Sequence, residues 1–107
     1  MVRSFVVGCV LMGAAVSAFA GDGLAIAKAN ACMGCHAVDR RLVGPSFKDI
    51  AAKYKGDAGA QAKLEKKVRD GGAGVWGAIP MPSHPGMSSG DIHDIVAWVL
   101  AGAGAAK

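Results

Sequence analysis

Apolar positions recur with a helical period in several places along the chain, and nowhere do they alternate for long enough to form a useful strand. From Ser88 the run Ile92, Ile95, Val96, Val99 and Leu100 gives a full i, i+3, i+4, i+7, i+8 stripe. Ser88 with Asp91 forms a capping-box pattern at its start, and Ala101-Gly102-Ala103-Gly104 ends it. Phe47, Ile50, Ala51 and Tyr54 repeat the spacing behind Gly44-Pro45, where Gly-Pro marks a turn and the proline suits a first helical position. Lys48, Asp49, Lys53 and Lys55 fall mostly off that face. A third helix is predicted over Ala60 to Arg69, with Leu64 and Val68 inward, Gly71 as its stop and Glu65-Lys66-Lys67 with Arg69 as its solvated face. Ahead of these, Asp22 can cap a helix over Gly23 to Ala31, a segment rich in good helix formers. The pattern predicts an all-α domain. It also leaves one long loop, bracketed by Gly71-Gly72-Ala73-Gly74 and by Pro80, Pro82 and Pro85, and long loops inside small domains are usually functional or disordered.

The amino terminus has a different pattern. Met1-Val2-Arg3 precedes an almost unbroken apolar run from Phe5 to Phe19, and the run closes on Ala18-Phe19-Ala20. A basic start, an apolar stretch and an A-x-A site make a secretory signal over residues 1–20, too short and wrongly flanked for a transmembrane helix. Cleavage after Ala20 is expected to leave residues 21–107 as a single domain, exported to the periplasm. Of the three cysteines, Cys9 lies within this segment; Val6-Val7-Gly8-Cys9 loosely resembles a lipoprotein box, but the apolar stretch before it is too short to serve alone.

A domain of 87 residues, the remainder of 107 after the signal, buries a modest core and usually needs a disulfide, metal or cofactor. Without Arg3 it has 11 basic and 8 acidic side chains. So small an excess suits a weakly bound acidic protein partner and equally suits ordinary solubility. No nucleic-acid partner is expected.

The two remaining cysteines stand in Cys32-Met33-Gly34-Cys35-His36, a C-x-x-C-H run that reads as a c-type haem attachment site. Two thiols three residues apart share one face of a helical turn and can add to the two haem vinyl groups. His36 then reaches the iron from the same side, its other ring nitrogen donating to a carbonyl. A zinc site would need a second Cys/His pair at ligand spacing, and a thioredoxin-like dithiol would come with a βαβ pattern; neither is present.

A second iron ligand can be sought among the other methionines and histidines. Met33 lies inside the attachment turn on the His36 side, and Met1 and Met12 leave with the signal. His93 sits beside the apolar stripe of the last helix, and Met87 precedes that helix as a packing residue. Met81 is set apart by Pro80 and Pro82, whose fixed φ angles make a stiff frame for a weak thioether ligand; the other role open to it is core packing. His84 is the runner-up, and bis-histidine ligation would lower the potential relative to His/Met. Trp76 can be core or can donate its indole N–H to a polar acceptor, and Lys67 by its position is a solvated helix charge.

Taken together, Leu42-Val43-Gly44-Pro45, Lys48-Asp49-Ile50-Ala51-Ala52-Lys53-Tyr54 and Gly74-Val75-Trp76-Gly77-Ala78-Ile79-Pro80-Met81-Pro82 make the chain resemble the bacterial class I monohaem cytochromes c of the c-551 type, from Cys32 through Leu100. The resemblance implies four to five helices wrapped around one low-spin haem c, joined through Cys32 and Cys35 with His36 and Met81 as axial ligands. It further implies that the Pro45 carbonyl accepts from His36, that Trp76 donates to a haem propionate, and that Lys67 lies near the same propionates. One departure stands out. The family often continues Pro-Met-Pro with a further proline and an asparagine that can bond the ligand sulfur, whereas this chain continues Ser83-His84-Pro85-Gly86 and is one residue longer there. His84 is left to make a similar contact or to face water.

The expected function is that of a monomeric periplasmic electron carrier, docking transiently with a membrane cytochrome complex and with a terminal reductase or oxidase. A six-coordinate iron has no open position for substrate chemistry, so no enzyme is expected. Two other readings differ in their chemistry: a haem enzyme or gas sensor with a displaceable Met81, and a thiol-disulfide oxidoreductase using Cys32 and Cys35.

Overall fold

The computed structural model describes Gly8 and residues 22–104, so the expected signal over residues 1–20 lies, but for Gly8, outside the described residues. Four α-helices follow in order: α1 (Asp22–Ala29), α2 (Phe47–Lys53), α3 (Ala60–Asp70) and α4 (Ser89–Leu100), with a 3₁₀ turn at Cys32–Gly34 between the first two. Among the described residues there is no strand, only isolated bridges between His36 and Arg41 and between Gly72 and Met81. The all-α expectation holds, and no described helix is long and apolar enough to cross a membrane.

The core is built on α4, which packs against α1, α2 and α3. Its predicted stripe delivers buried Ile92, Ile95, Val96 and Val99, with Leu100 packed at the edge. Trp98, outside that stripe, is buried as well, because α1 covers a second side of the helix: Trp98 lies over Gly23, and Ala27 joins the same cluster. The indole N–H donates to the Gly104 carbonyl at 3.1 Å and ties the end of the described chain back onto the helix. Ser88 caps α4 as expected, accepting from the Asp91 N–H at 3.1 Å.

Two helix starts and one end differ from expectation. Asp22 falls inside the first turn of α1, where its carboxylate complements the helix dipole. That helix stops at Ala29 instead of Ala31, because the Asn30 side chain donates to the Ile26 carbonyl at 2.9 Å and Ala31 turns left-handed at φ 59°. Pro45 precedes α2 without entering it. The cap is Ser46, 2 % exposed, whose hydroxyl accepts from the Asp49 N–H at 3.0 Å. At the other end of α3, Gly71 stops the helix as predicted, with φ 72°.

Candidate functional site

A cleft opens beside α4, floored by Ile95, Val96 and Val99 and walled by Phe47, Ile50, Leu64 and Val68. The 3₁₀ turn forms one side of it. Its backbone closes on Cys32, whose carbonyl accepts from the N–H of Cys35 at 3.2 Å and of His36 at 2.9 Å. Cys32, Cys35 and His36 all line the cleft, and both thiols are free and half-buried. Burial pushes the Cys32 thiol above its ordinary value; a hydrogen bond to backbone opposes this and the neighbouring Cys35 adds to it.

The imidazole of His36 is held on three sides. Its Nδ1–H donates to the Pro45 carbonyl at 2.7 Å, which assigns the proton to Nδ1 and leaves Nε2 as the free lone pair. Phe47 stacks on the ring at 5.2 Å and 23°. Gly44 closes the third side, its own N–H bonded to the Cys35 carbonyl at 2.8 Å.

The facing side of the cleft belongs to the long loop. Met81 and Gly72 exchange two backbone hydrogen bonds, at 2.8 and 3.0 Å, and Met81 lines the cleft. The other candidates for a second ligand point elsewhere. Met33 and Met87 pack against the core, and His93 faces α3, where Gln61 donates to its carbonyl at 3.1 Å and Glu65 stands 3.6 Å from its Nδ1. His84 neither approaches the cleft nor is left to water; its Nδ1–H donates to the Val68 carbonyl at 3.2 Å. Among the described residues, His36 and Met81 are the one histidine and the one methionine on the cleft wall.

Trp76 also lines the cleft and is fastened from outside, with Lys53 Nζ 5.3 Å above its ring and Arg41 donating to its carbonyl at 3.4 Å. Neither partner was legible in the sequence, since both contacts join segments far apart in the chain. The charge run of α3 does not behave as one solvated face: Lys66 and Arg69 are exposed, but Lys67 is half-buried on the cleft wall and Glu65 turns to His93.

The character of the cleft fits a haem. Val43, Val75 and Ile79 stand on its wall 48 %, 51 % and 66 % exposed, large apolar side chains that a flat apolar macrocycle would cover. Two thiols and an imidazole nitrogen occupy one side and a thioether the loop side, and the cationic side chains of Arg41 and Lys67 also line it.

The comparisons agree with this chemistry. The family model for cytochrome c matches residues 20–103. The cytochrome c-551 of Allochromatium vinosum is 47 % identical over 77 residues, covering 72 % of this chain and 82 % of the relative. That of Pseudomonas aeruginosa is 43 % identical over 86 residues, covering 80 % and 82 %. Among solved structures, the wild-type cytochrome c552 of Nitrosomonas europaea superposes with a TM-score of 0.72 at 42 % identity, over 74 % of this chain and 98 % of that one. The chain belongs to the cytochrome c family, as a small electron-carrying cytochrome with one covalently attached c-type haem.

Proposed function

We propose that the chain is a periplasmic one-electron carrier whose haem is joined to Cys32 and Cys35 and ligated by His36 and Met81. The observation that carries this reading is that His36 and Met81 alone, among the described histidines and methionines, line the cleft, each with its backbone or ring already fixed. When bound, the haem iron supplies the change between Fe(III) and Fe(II). The residues supply constancy around that change. Pro45 keeps the proton on Nδ1 of His36, so Nε2 remains available in both oxidation states. Gly72 holds both backbone polar groups of Met81, so the thioether need not be re-placed when the charge changes.

Trp76 and Lys67 belong to the same reading as the groups that receive the propionates, with Arg41 and Lys53 fixing Trp76 in place. Among the described residues no aspartate or glutamate lines the cleft, which supports a carrier over an enzyme with acid/base chemistry at the iron. Removal of residues 1–20 and release into the periplasm complete the proposal. Its partners are redox proteins met transiently, a membrane cytochrome complex on one side and a terminal reductase or oxidase on the other, with the carrier itself monomeric.

The test is the spectrum of the reduced and oxidised holoprotein beside Met81→Ala. Thioether ligation gives a near-infrared thioether-to-iron band and strongly shifted methionine methyl resonances. Met81→Ala is expected to lose both and to show a large fall in potential, since axial ligands set haem potentials over roughly 0.8 V. A near-infrared band unchanged in Met81→Ala overturns the assignment, and rapid carbon monoxide binding by the unsubstituted reduced protein at neutral pH turns the reading toward a gas sensor or enzyme.

A further inference from the structure

The loop that carries Met81 is fastened to the end of α3 in two places. Close to the ligand, Gly72 and Met81 exchange their backbone hydrogen bonds. Three residues further on, the His84 N–H donates to the Arg69 carbonyl at 3.2 Å and the His84 ring donates to the Val68 carbonyl at 3.2 Å. Both acceptors lie in the last turn of α3, where carbonyls have no intrahelical donor left to them. His84 therefore caps the helix twice, once with its backbone and once with its ring.

Beyond these bonds the downstream part of the loop has one other hold, Met87, which packs against the core and donates its N–H to the His84 carbonyl at 3.2 Å. Pro82, Ser83, Pro85 and Gly86 are exposed, and the two prolines have no N–H to give, while His84 is half-buried. Pro82, with its fixed φ, lies between the ligand and the cap, so a displacement at His84 reaches Met81 through a stiff segment.

We propose that His84 is a positioning residue for the iron ligand: its ring, by bonding the Val68 carbonyl, fixes the downstream end of the loop and keeps the Met81 thioether over the cleft. This rests on the reading of Met81 as a ligand. In His84→Ala the thioether is held less firmly in the ferric holoprotein, so added imidazole displaces it more readily. The loss of one hydrogen bond, worth about 1 kcal/mol, corresponds to roughly a five-fold tighter apparent imidazole affinity. His84→Asn places an amide N–H where Nδ1–H stood and returns the affinity to that of the unsubstituted protein. A residue that served stability alone would lower the unfolding midpoint without moving imidazole affinity.

The test is an imidazole titration of the ferric holoproteins, unsubstituted, His84→Ala and His84→Asn, beside the near-infrared band of each. Tighter binding in the alanine variant with recovery in the asparagine variant supports the proposal. Equal affinity in all three, or no recovery in His84→Asn, overturns it. If His84→Ala yields no folded holoprotein, ¹⁵N-histidine NMR of the reduced unsubstituted protein decides: a slowly exchanging Nδ1–H at His84 supports the bond, and a neutral Nε2–H tautomer overturns it. A missing thioether band in the unsubstituted protein would instead sink the ligand assignment itself, and the positioning role with it.

Discussion

Gly44 lies against the imidazole of His36 with no room for a side chain between them. A Cβ at position 44 would stand 2.6 Å from Cε1, 3.0 Å from Nδ1 and 3.2 Å from Nε2. The ring cannot retreat freely, since Phe47 stacks on it and Pro45 holds its Nδ1. Gly44→Ala is expected to cost about 1–3 kcal/mol, the usual penalty for overpacking, and to tilt the imidazole. Denaturant unfolding of the holoprotein measures the first and the His36 ring proton shifts the second; an unchanged midpoint with unchanged shifts would contradict the close fit.

Phe47 connects this ring to the core. It is 4 % exposed, stacked on His36 on one side and edge-on to Trp98 at 5.4 Å on the other. Removing it opens a cavity between the His36 ring and the core, and Phe47→Ala is expected to cost about 3–5 kcal/mol. Against a total of about 5–15 kcal/mol for a small domain, that is a large share. Phe47→Leu, which keeps most of the apolar volume, is expected to lose clearly less. Urea midpoints of the two variants check the order, and equal losses would mean that the ring stacking, not the volume, holds His36.

The two sides of the cleft differ in how far they could be read in advance. The His36 side is local: the cysteine turn is contiguous, and the Phe47 face of α2 shows in its period. Even the misplaced start of α2 had a signal, because Ser46 and Asp49 repeat the spacing of Ser88 and Asp91. Trp98 escaped because a single-stripe reading assumes one buried side, whereas α4 is covered by α1 as well as α3. On the other side, the prolines around Met81 announced stiffness but not an anchor. The bridge to Gly72 and the cap from His84 to Val68 join residues 9 and 16 positions apart, and no local period encodes such pairings.

A pH dependence follows from the start of α3. The Asp57 carboxylate accepts from Lys63 Nζ at 2.9 Å and from the Gly59 N–H at 2.8 Å. The lysine first, and the N–H second, hold its pKa below the ordinary 3.8. The same pairing raises Lys63 above 10.5. A lowered carboxyl stabilises the fold above pH 3.8, and that stability fades as pH falls through the depressed value. A raised ammonium stabilises it below pH 10.5 and fades as pH climbs through the raised value. Asp57→Asn keeps an acceptor for Gly59 and removes the charge, so its melting temperature is expected to fall slightly below the parent's at neutral pH. The two are expected to converge in acid and again in strong base; a gap constant across pH would rule out the ion pair as its cause.

Gly71 tests whether the end of α3 sets the place of Met81. Its φ of 72° with ψ of −165° is a conformation that side chains scarcely adopt, worth about 1–3 kcal/mol of strain. A Cβ there would also meet the Met81 carbonyl and stand 2.8 Å from Ser83 N and 2.9 Å from the Pro82 carbonyl carbon. Gly56 separates the two effects, since it too has a positive φ, 79°, its Cβ would meet nothing within 4 Å, and it stands outside the cleft. Gly71→Ala is therefore expected to weaken the thioether-to-iron band and tighten imidazole binding although Met81 itself is untouched, whereas Gly56→Ala is expected to lower stability alone. Equal weakening of the band in both variants would place the effect in general backbone strain; weakening in Gly71→Ala alone would place it in the contact with residues 81–83, the contact between the end of α3 and the loop of Met81.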